Sequence, residues 1–109
     1  TMEEIHHTAK KDAPSGTAIS ILDGIIENNK NKSKWHLGHA VKNESIPVNV
    51  KRTDPTPGTH SVTYSTSIDA IEIKHTAHSR DGFAQGSLTA AQWLIGKTGV
   101  FGMKDMLKF

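Results

Sequence analysis

Cysteine is absent from the 109 residues. That excludes disulfides, thiolate nucleophiles and cysteine-ligated metals, and it fits a cytoplasmic setting. Aromatic residues are scarce, with two Trp, one Tyr and three Phe, and hydrophobic residues make up 35%. Such a chain supports one domain with a modest core. No apolar run approaches the roughly 20 residues of a spanning helix, and no leader segment is visible, so neither membrane nor export is expected. An excess of one charge is also missing. Thirteen Lys and Arg against eleven Asp and Glu leave a net charge of +2. These basic residues are scattered, which argues against nucleic acid as a partner. Finally, there is no G-x-G-x-x-G and no strand–glycine loop–helix unit to cradle a pyrophosphate.

What is present concentrates near the start, in Glu4-Ile5-His6-His7-Thr8-Ala9-Lys10-Lys11-Asp12-Ala13-Pro14-Ser15-Gly16-Thr17-Ala18. Pro14 halts whatever precedes it and biases Ala13 toward extended backbone. Ser15 suits an N-cap, with a helix beginning at Gly16-Thr17. The first N–H groups of a helix have no internal partner and lie at the positive end of its dipole, so a carboxylate or phosphate is stabilised there. Gly16 allows close approach to the backbone, and Thr17 adds a hydroxyl. His6 and His7 titrate near neutral pH, and Lys10 supplies a positive charge or a proton. Taken singly, each feature has a plainer reading: satisfied histidines, a solvated lysine pair and an ordinary cap. Their order and compactness suggest a site.

The remainder reads as scaffold. Glu3 to His7 is the end of a strand. From Gly16 to about Asn29, Ala18, Ile21, Leu22, Ile25 and Ile26 share one helical face. Asn28 to Lys34 is a polar surface loop, and Trp35 is a packing anchor. Ile46 to Arg52 alternates as a half-buried strand, and Pro57-Gly58 fits the centre of a turn. Thr59 to Thr66 and Ala70 to Thr76 are further strands, which with Ile46–Arg52 imply an antiparallel meander. The strand at His6 completes a four-stranded mixed sheet with helices on one face, an α+β class. Asp81-Gly82 breaks the chain before a helix from Phe83 to Ile95 that is apolar on more than one face. Met103 to Leu107 is a short terminal turn. The pairs His6-His7, His36-His39 and His75-His78 invite a metal. However, histidines at i and i+3 share a face only on a helix, and His75 to His78 reads as a strand end, so no metal site is assigned.

The string Glu-Ile-His-His-x-x-Lys-x-Asp-Ala-Pro-Ser-Gly-Thr-Ala resembles the signature of dihydrodipicolinate reductase, or 4-hydroxy-tetrahydrodipicolinate reductase, of bacterial lysine biosynthesis. Arg80 to Gly86 is similar to that family's Arg-x-x-Phe-Ala-x-Gly, and Trp93 to Lys97 to its Trp-Leu-x-Gly-Lys. Gly99 to Leu107 is similar to its ending. The resemblance implies that residues 1–109 are the C-terminal substrate-binding and oligomerisation domain of a two-domain reductase, without its Rossmann domain. The tail, 82–109, would pack toward that absent cofactor domain.

For the full-length enzyme the resemblance implies reduction by NADH or NADPH to tetrahydrodipicolinate in the diaminopimelate route to lysine. By matching motif, His6 is the proton donor/acceptor and Lys10 the proton donor. His7 binds substrate, and Gly16 and Thr17 hold a carboxylate; apart from these, Arg80 is expected near the nicotinamide, as a cofactor contact, or at the interface between domains. A dicarboxylate substrate and a homotetramer joined through the sheet are likewise implied, with the isolated domain inactive. The alternative is a non-catalytic module that binds dicarboxylates or other anions and oligomerises. Preference between NADH and NADPH is set outside this chain.

Overall fold

Met2, Glu4 and His6 alternate with Glu3 and Ile5, and in the computed structural model, which describes residues 1–109, this alternation becomes the central strand β1 (Met2–His6). Its inward residues are buried and its outward ones half-buried. A strand covered in this way belongs in the middle of a sheet. On one side β1 pairs in parallel with β3 (Ser45–Arg52), whose outer neighbour is the parallel β2 (Lys34–Leu37). On the other side it pairs antiparallel with β4 (Gly58–Ser65), followed by the antiparallel β5 (Ala70–Ala77). The order is β2-β3-β1-β4-β5.

The α+β class and mixed sheet expected from the sequence are present, with five strands rather than four. Lys34–Leu37 escapes sequence reading because it is four residues long and follows a polar run. The expected meander is also interrupted. β1 separates β3 from β4, so only β4 and β5 form a hairpin.

The helix α1 (Gly16–Asn28) lies against one sheet face. Ala18 and Leu22 are fully buried and join Met2, Ile46 and Val48 in the core, with Ile21, Ile25, Ile26, Trp35, Val50 and Val62 packed around them. Cross-strand partners project to the same side, and the register places Met2 beside Val48 and Val62. Burying a side chain such as Leu22 contributes about 1.5–3 kcal/mol. The opposite face is polar, with Glu3, Asn49 and Ser61 in one row and an ion pair between Lys51 and Glu3 at 2.7 Å. Lys32 pins the return loop from β2 to β3 by donating to the carbonyls of Lys42 (3.3 Å) and Asn43 (2.8 Å).

Two local expectations are corrected. The turn before β4 is closed by Thr56 N–H on the Thr53 carbonyl at 3.1 Å and is centred on Asp54-Pro55 rather than Pro57-Gly58. Gly58 is instead the buried first residue of β4, where a Cβ would come within 3.3 Å of His6 Nε2. Asp81 does not interrupt the chain but opens the helix α2 (Asp81–Leu94), where an acidic first turn suits the helix dipole.

Residues Thr1–His78 form one compact unit and Ser79–Phe109 another. In the second, no residue of α2 is buried. The ring of Trp93 meets Phe101 edge-on at 5.4 Å and carries the Lys97 ammonium 4.6 Å above its centre. Met103–Leu107 is the short helix α3, whose Asp105 accepts the Gly102 N–H at 2.7 Å.

Candidate functional site

Glu4 sits mid-strand in β1, on the face toward α1, with no exposed surface. An unpaired carboxylate there would cost several kcal/mol. Both of its oxygens are engaged. Oε2 accepts the Ser15 N–H at 2.9 Å, and Oε1 accepts from Arg52 Nη2 at 3.1 Å. Burial alone would raise this carboxyl. The hydrogen bonds from Ser15 and Arg52 outweigh it and hold the pKa below the usual glutamate value.

His6 follows two residues later on the same face and is 7% exposed. Its ring meets that of His60 edge-on, 5.0 Å between centroids, and its Nδ1 is buried without a partner. His60 faces Glu4 across the β1–β4 pairing, with Nε2 3.0 Å from Ser15 Oγ and 3.9 Å from Glu4 Oε2. Desolvation lowers the pKa of both imidazoles, against the opposing pull of Glu4. The charge of Lys10 pushes both in the same direction as burial. Both rings are therefore held toward the neutral form.

Ser15 organises the opening of α1. Its Oγ accepts the Ala18 N–H at 3.2 Å and its carbonyl accepts the Ile19 N–H at 3.0 Å, while its own N–H goes to Glu4. Gly16 and Thr17 are left as the two exposed residues of the opening turn whose N–H groups make no hydrogen bond. A Cβ added at Gly16 would meet nothing within 4 Å. This is an electropositive, accessible turn of the kind that holds an oxyanion.

Lys10 lies on the loop between β1 and α1, its Nζ 2.9 Å from Asp12 Oδ1. Arg52, at the end of β3, donates to the carbonyls of Lys10 (Nε, 3.2 Å) and Asp12 (Nη2, 2.6 Å). His7 is half-buried just past β1, and its carbonyl accepts the Lys10 N–H at 3.2 Å. Hydrogen bonds from Thr8, with a smaller contribution from the charge of His7, lower the Asp54 carboxyl. Thus the Lys10 backbone, through Arg52, and the opening of α1, through Ser15, are both tied to Glu4, two residues before His6 on the same strand face. Arg80 belongs to the other unit, immediately before α2, where its carbonyl accepts the N–H groups of Phe83 and Ala84. A concavity of the first unit lies toward the other end of β1, lined by Ile25, Val41, Ile46, Val62, Tyr64 and Ile71. None of the clustered side chains reaches it.

Sequence reading missed Glu4, Arg52 and His60 as members of this cluster, and Gly58 as its wall. The available signal was weak: an acidic residue at an inward strand position between Met2 and His6. The metal alternative also changes shape. Ligand atoms of Glu4, His6 and His60 lie within 4.8 Å of one another. Yet Glu4 already faces a guanidinium, and a cation there would compete with it. Both ring nitrogens of His36 are taken, by Ser45 Oγ at 2.6 Å and the Ala40 carbonyl at 2.9 Å.

Fold and cluster together define an α+β domain built on a mixed sheet, with a buried charge network and two imidazoles at the start of its first helix. Residues 1–107 match the family described as dihydrodipicolinate reductase, C-terminus, and the chain belongs to that family. A 4-hydroxy-tetrahydrodipicolinate reductase of Christiangramia forsetii is 54% identical over 106 residues, covering 97% of this chain and 44% of the relative. One from Methanoculleus marisnigri is 38% identical over 107 residues, covering 95% and 42%. The solved structure of a dipicolinate-bound dihydrodipicolinate reductase from Paenisporosarcina sp. TG-14 shares the fold, with a TM-score of 0.66 and 21% identity over 95% of this chain and 43% of that one. The chain spans less than half the length of these relatives.

Proposed function

We propose that this chain is the substrate domain of a 4-hydroxy-tetrahydrodipicolinate reductase serving lysine and diaminopimelate biosynthesis. The observation that carries the reading is the pair of unpartnered N–H groups at Gly16 and Thr17, on a turn that Glu4 and Arg52 tie to the backbone of Lys10 and to the strand bearing His6. A cyclic dicarboxylate needs such a combination. Each charge-assisted hydrogen bond to it contributes about 1.5–3 kcal/mol. In this reading Gly16 and Thr17 hold one carboxylate and His7 binds the substrate near the end of β1. His6, kept neutral by burial, takes up or returns a proton. Lys10 donates one from Nζ. The dipicolinate in the Paenisporosarcina enzyme is consistent with this chemistry.

The nicotinamide cofactor, NADH or NADPH, supplies the hydride. Residues of this chain do not fit it. The chain has no G-x-G-x-x-G loop between a strand and a helix to cradle a pyrophosphate. The cofactor is therefore assigned to another part of a longer protein, with Arg80 as this chain's candidate contact. Phe83 and Leu88 of α2 are 49% and 61% exposed, which supports packing of the tail, 82–109, toward that part. Exposed Tyr64, Ile71 and Ile73 on β4 and β5 support a partner surface on the sheet, and we assign a cytoplasmic homotetramer. A second reading, a non-catalytic dicarboxylate-binding and oligomerisation module, is favoured by the lack of a dinucleotide cradle in this chain.

Lys10→Ala in a full-length reductase carrying this domain separates the two readings. Turnover is expected to fall by about 100-fold or more, with cofactor affinity unchanged. Unchanged turnover would contradict the catalytic assignment and leave the binding module.

A further inference from the structure

We propose that Glu4 and Arg52 are positioning residues: together they clamp the proton-donor loop and the carboxylate-binding turn into one register. This rests on the reading of Lys10 and Gly16–Thr17 given above, and it explains a feature that reading leaves unexplained. A buried carboxylate beside a site for a dianion opposes binding by its charge. Glu4 therefore does not serve to attract the substrate.

The contacts show what it does instead. The stretch between β1 and α1, residues 7–15, has no regular structure. Arg52 engages all three of its nitrogens. Nε reaches the Lys10 carbonyl at 3.2 Å, Nη1 the Lys51 carbonyl at 2.9 Å, and Nη2 both the Asp12 carbonyl at 2.6 Å and Glu4 Oε1 at 3.1 Å. The other carboxylate oxygen of Glu4 takes the Ser15 N–H. One arm of the pair thus holds the backbone on both sides of Lys11, which includes Lys10 itself. The second arm holds the residue that opens α1. With the Ser15 N–H on Glu4 and the Ala18 N–H on Ser15 Oγ, Gly16 and Thr17 are the N–H groups of the opening turn left free.

Only a planar fork can bridge two carbonyls and a carboxylate at once. A lysine keeps the charge beside Glu4 but cannot span all three. The contacts that Arg52 makes to the loop are to backbone, outside the apolar core, so their loss should loosen the loop without unfolding the sheet. A misplacement of about 1 Å at a reacting group costs on the order of 100-fold in rate.

The test is Arg52→Lys in a full-length reductase carrying this domain, with turnover, affinity for pyridine-2,6-dicarboxylate and melting temperature measured together. We expect kcat to fall about 10-fold to 100-fold while the affinity stays within about threefold, because Glu4 still holds Ser15. If Arg52→Lys does not fold, Glu4→Gln takes its place, with the same expectation for turnover. Turnover within about threefold of wild type, or turnover and affinity falling by one common factor with the melting temperature, would overturn the clamp. Absence of pyridine-2,6-dicarboxylate binding to the wild-type enzyme would instead overturn the functional reading, and the clamp with it. Binding by the wild type, with Lys10→Ala inactive and Arg52→Lys fully active, would overturn the clamp alone.

Discussion

At the scale of single residues, Gly58 does more for the site than its position at the start of a strand suggests. A Cβ there would come 3.3 Å from His6 Nε2 and 3.4 Å from Cδ2. The ring of His60 meets that of His6 edge-on, 5.0 Å between centroids, so room for His6 to move is limited on the β4 side as well. Gly58→Ala is therefore expected to tilt His6 by a few tenths of an ångström. Turnover should fall about tenfold, while urea unfolding changes by about 1 kcal/mol or less. Wild-type turnover in a folded variant would show that the placement of His6 is not critical. Gly58 was not legible as a wall of the site. In the sequence it follows Pro57, and Pro-Gly reads as a turn.

At the scale of elements, α1 was legible and β2 was not, for physical reasons. The apolar spacing of Ala18, Ile21, Leu22, Ile25 and Ile26 is local, so the helix and its buried face follow from it. The four residues of β2 carry no such pattern, and the strand exists because β3 offers it an edge. Likewise, nothing local tells β1 to insert between β3 and β4. Two predictions belong to α1. Ser15→Ala removes the N-cap and costs about 0.5–2 kcal/mol. It also takes from the Nε2 of half-buried His60 its hydroxyl partner, which adds about 1 kcal/mol. Leu22→Ala is expected to cost about 2–5 kcal/mol through the cavity it leaves. Urea denaturation measures both. A loss at Ser15 no larger than that of an ordinary cap would show that the His60 contact contributes nothing.

For the whole molecule, the cluster sets the response to acid. Burial holds His6 and His60 below the ordinary imidazole value of about 6.5. Between their folded values and about 6.5 the unfolded chain binds more protons than the native one, so stability rises with pH across that window. The stability is fully present above about 6.5 and is lost as pH falls below it. Glu4 adds a second, more acidic stage. Burial would raise it, but Ser15 and Arg52 hold it low, so its contribution is present above about 4.3 and lost as pH falls through its folded value. Melting temperatures between pH 7.5 and pH 5 should decline, and His60→Gln should flatten that decline. An equal slope in wild type and variant would exclude His60 from the linkage.

The candidate site was legible where its members are neighbours in sequence, from His6 to Thr17. Its supports were not, because Arg52 and His60 join Glu4 only through strand pairing that the sequence does not display. The proposed chemistry requires a dicarboxylate to rest on the opening turn of α1, within reach of Lys10 and His6. A crystal structure of a full-length reductase carrying this domain, soaked with pyridine-2,6-dicarboxylate, tests that claim most directly. A ligand carboxylate is expected within hydrogen-bonding distance of the Gly16 and Thr17 nitrogens, with the ring between them and Lys10. A ligand bound elsewhere, with those two N–H groups left to solvent, would contradict it.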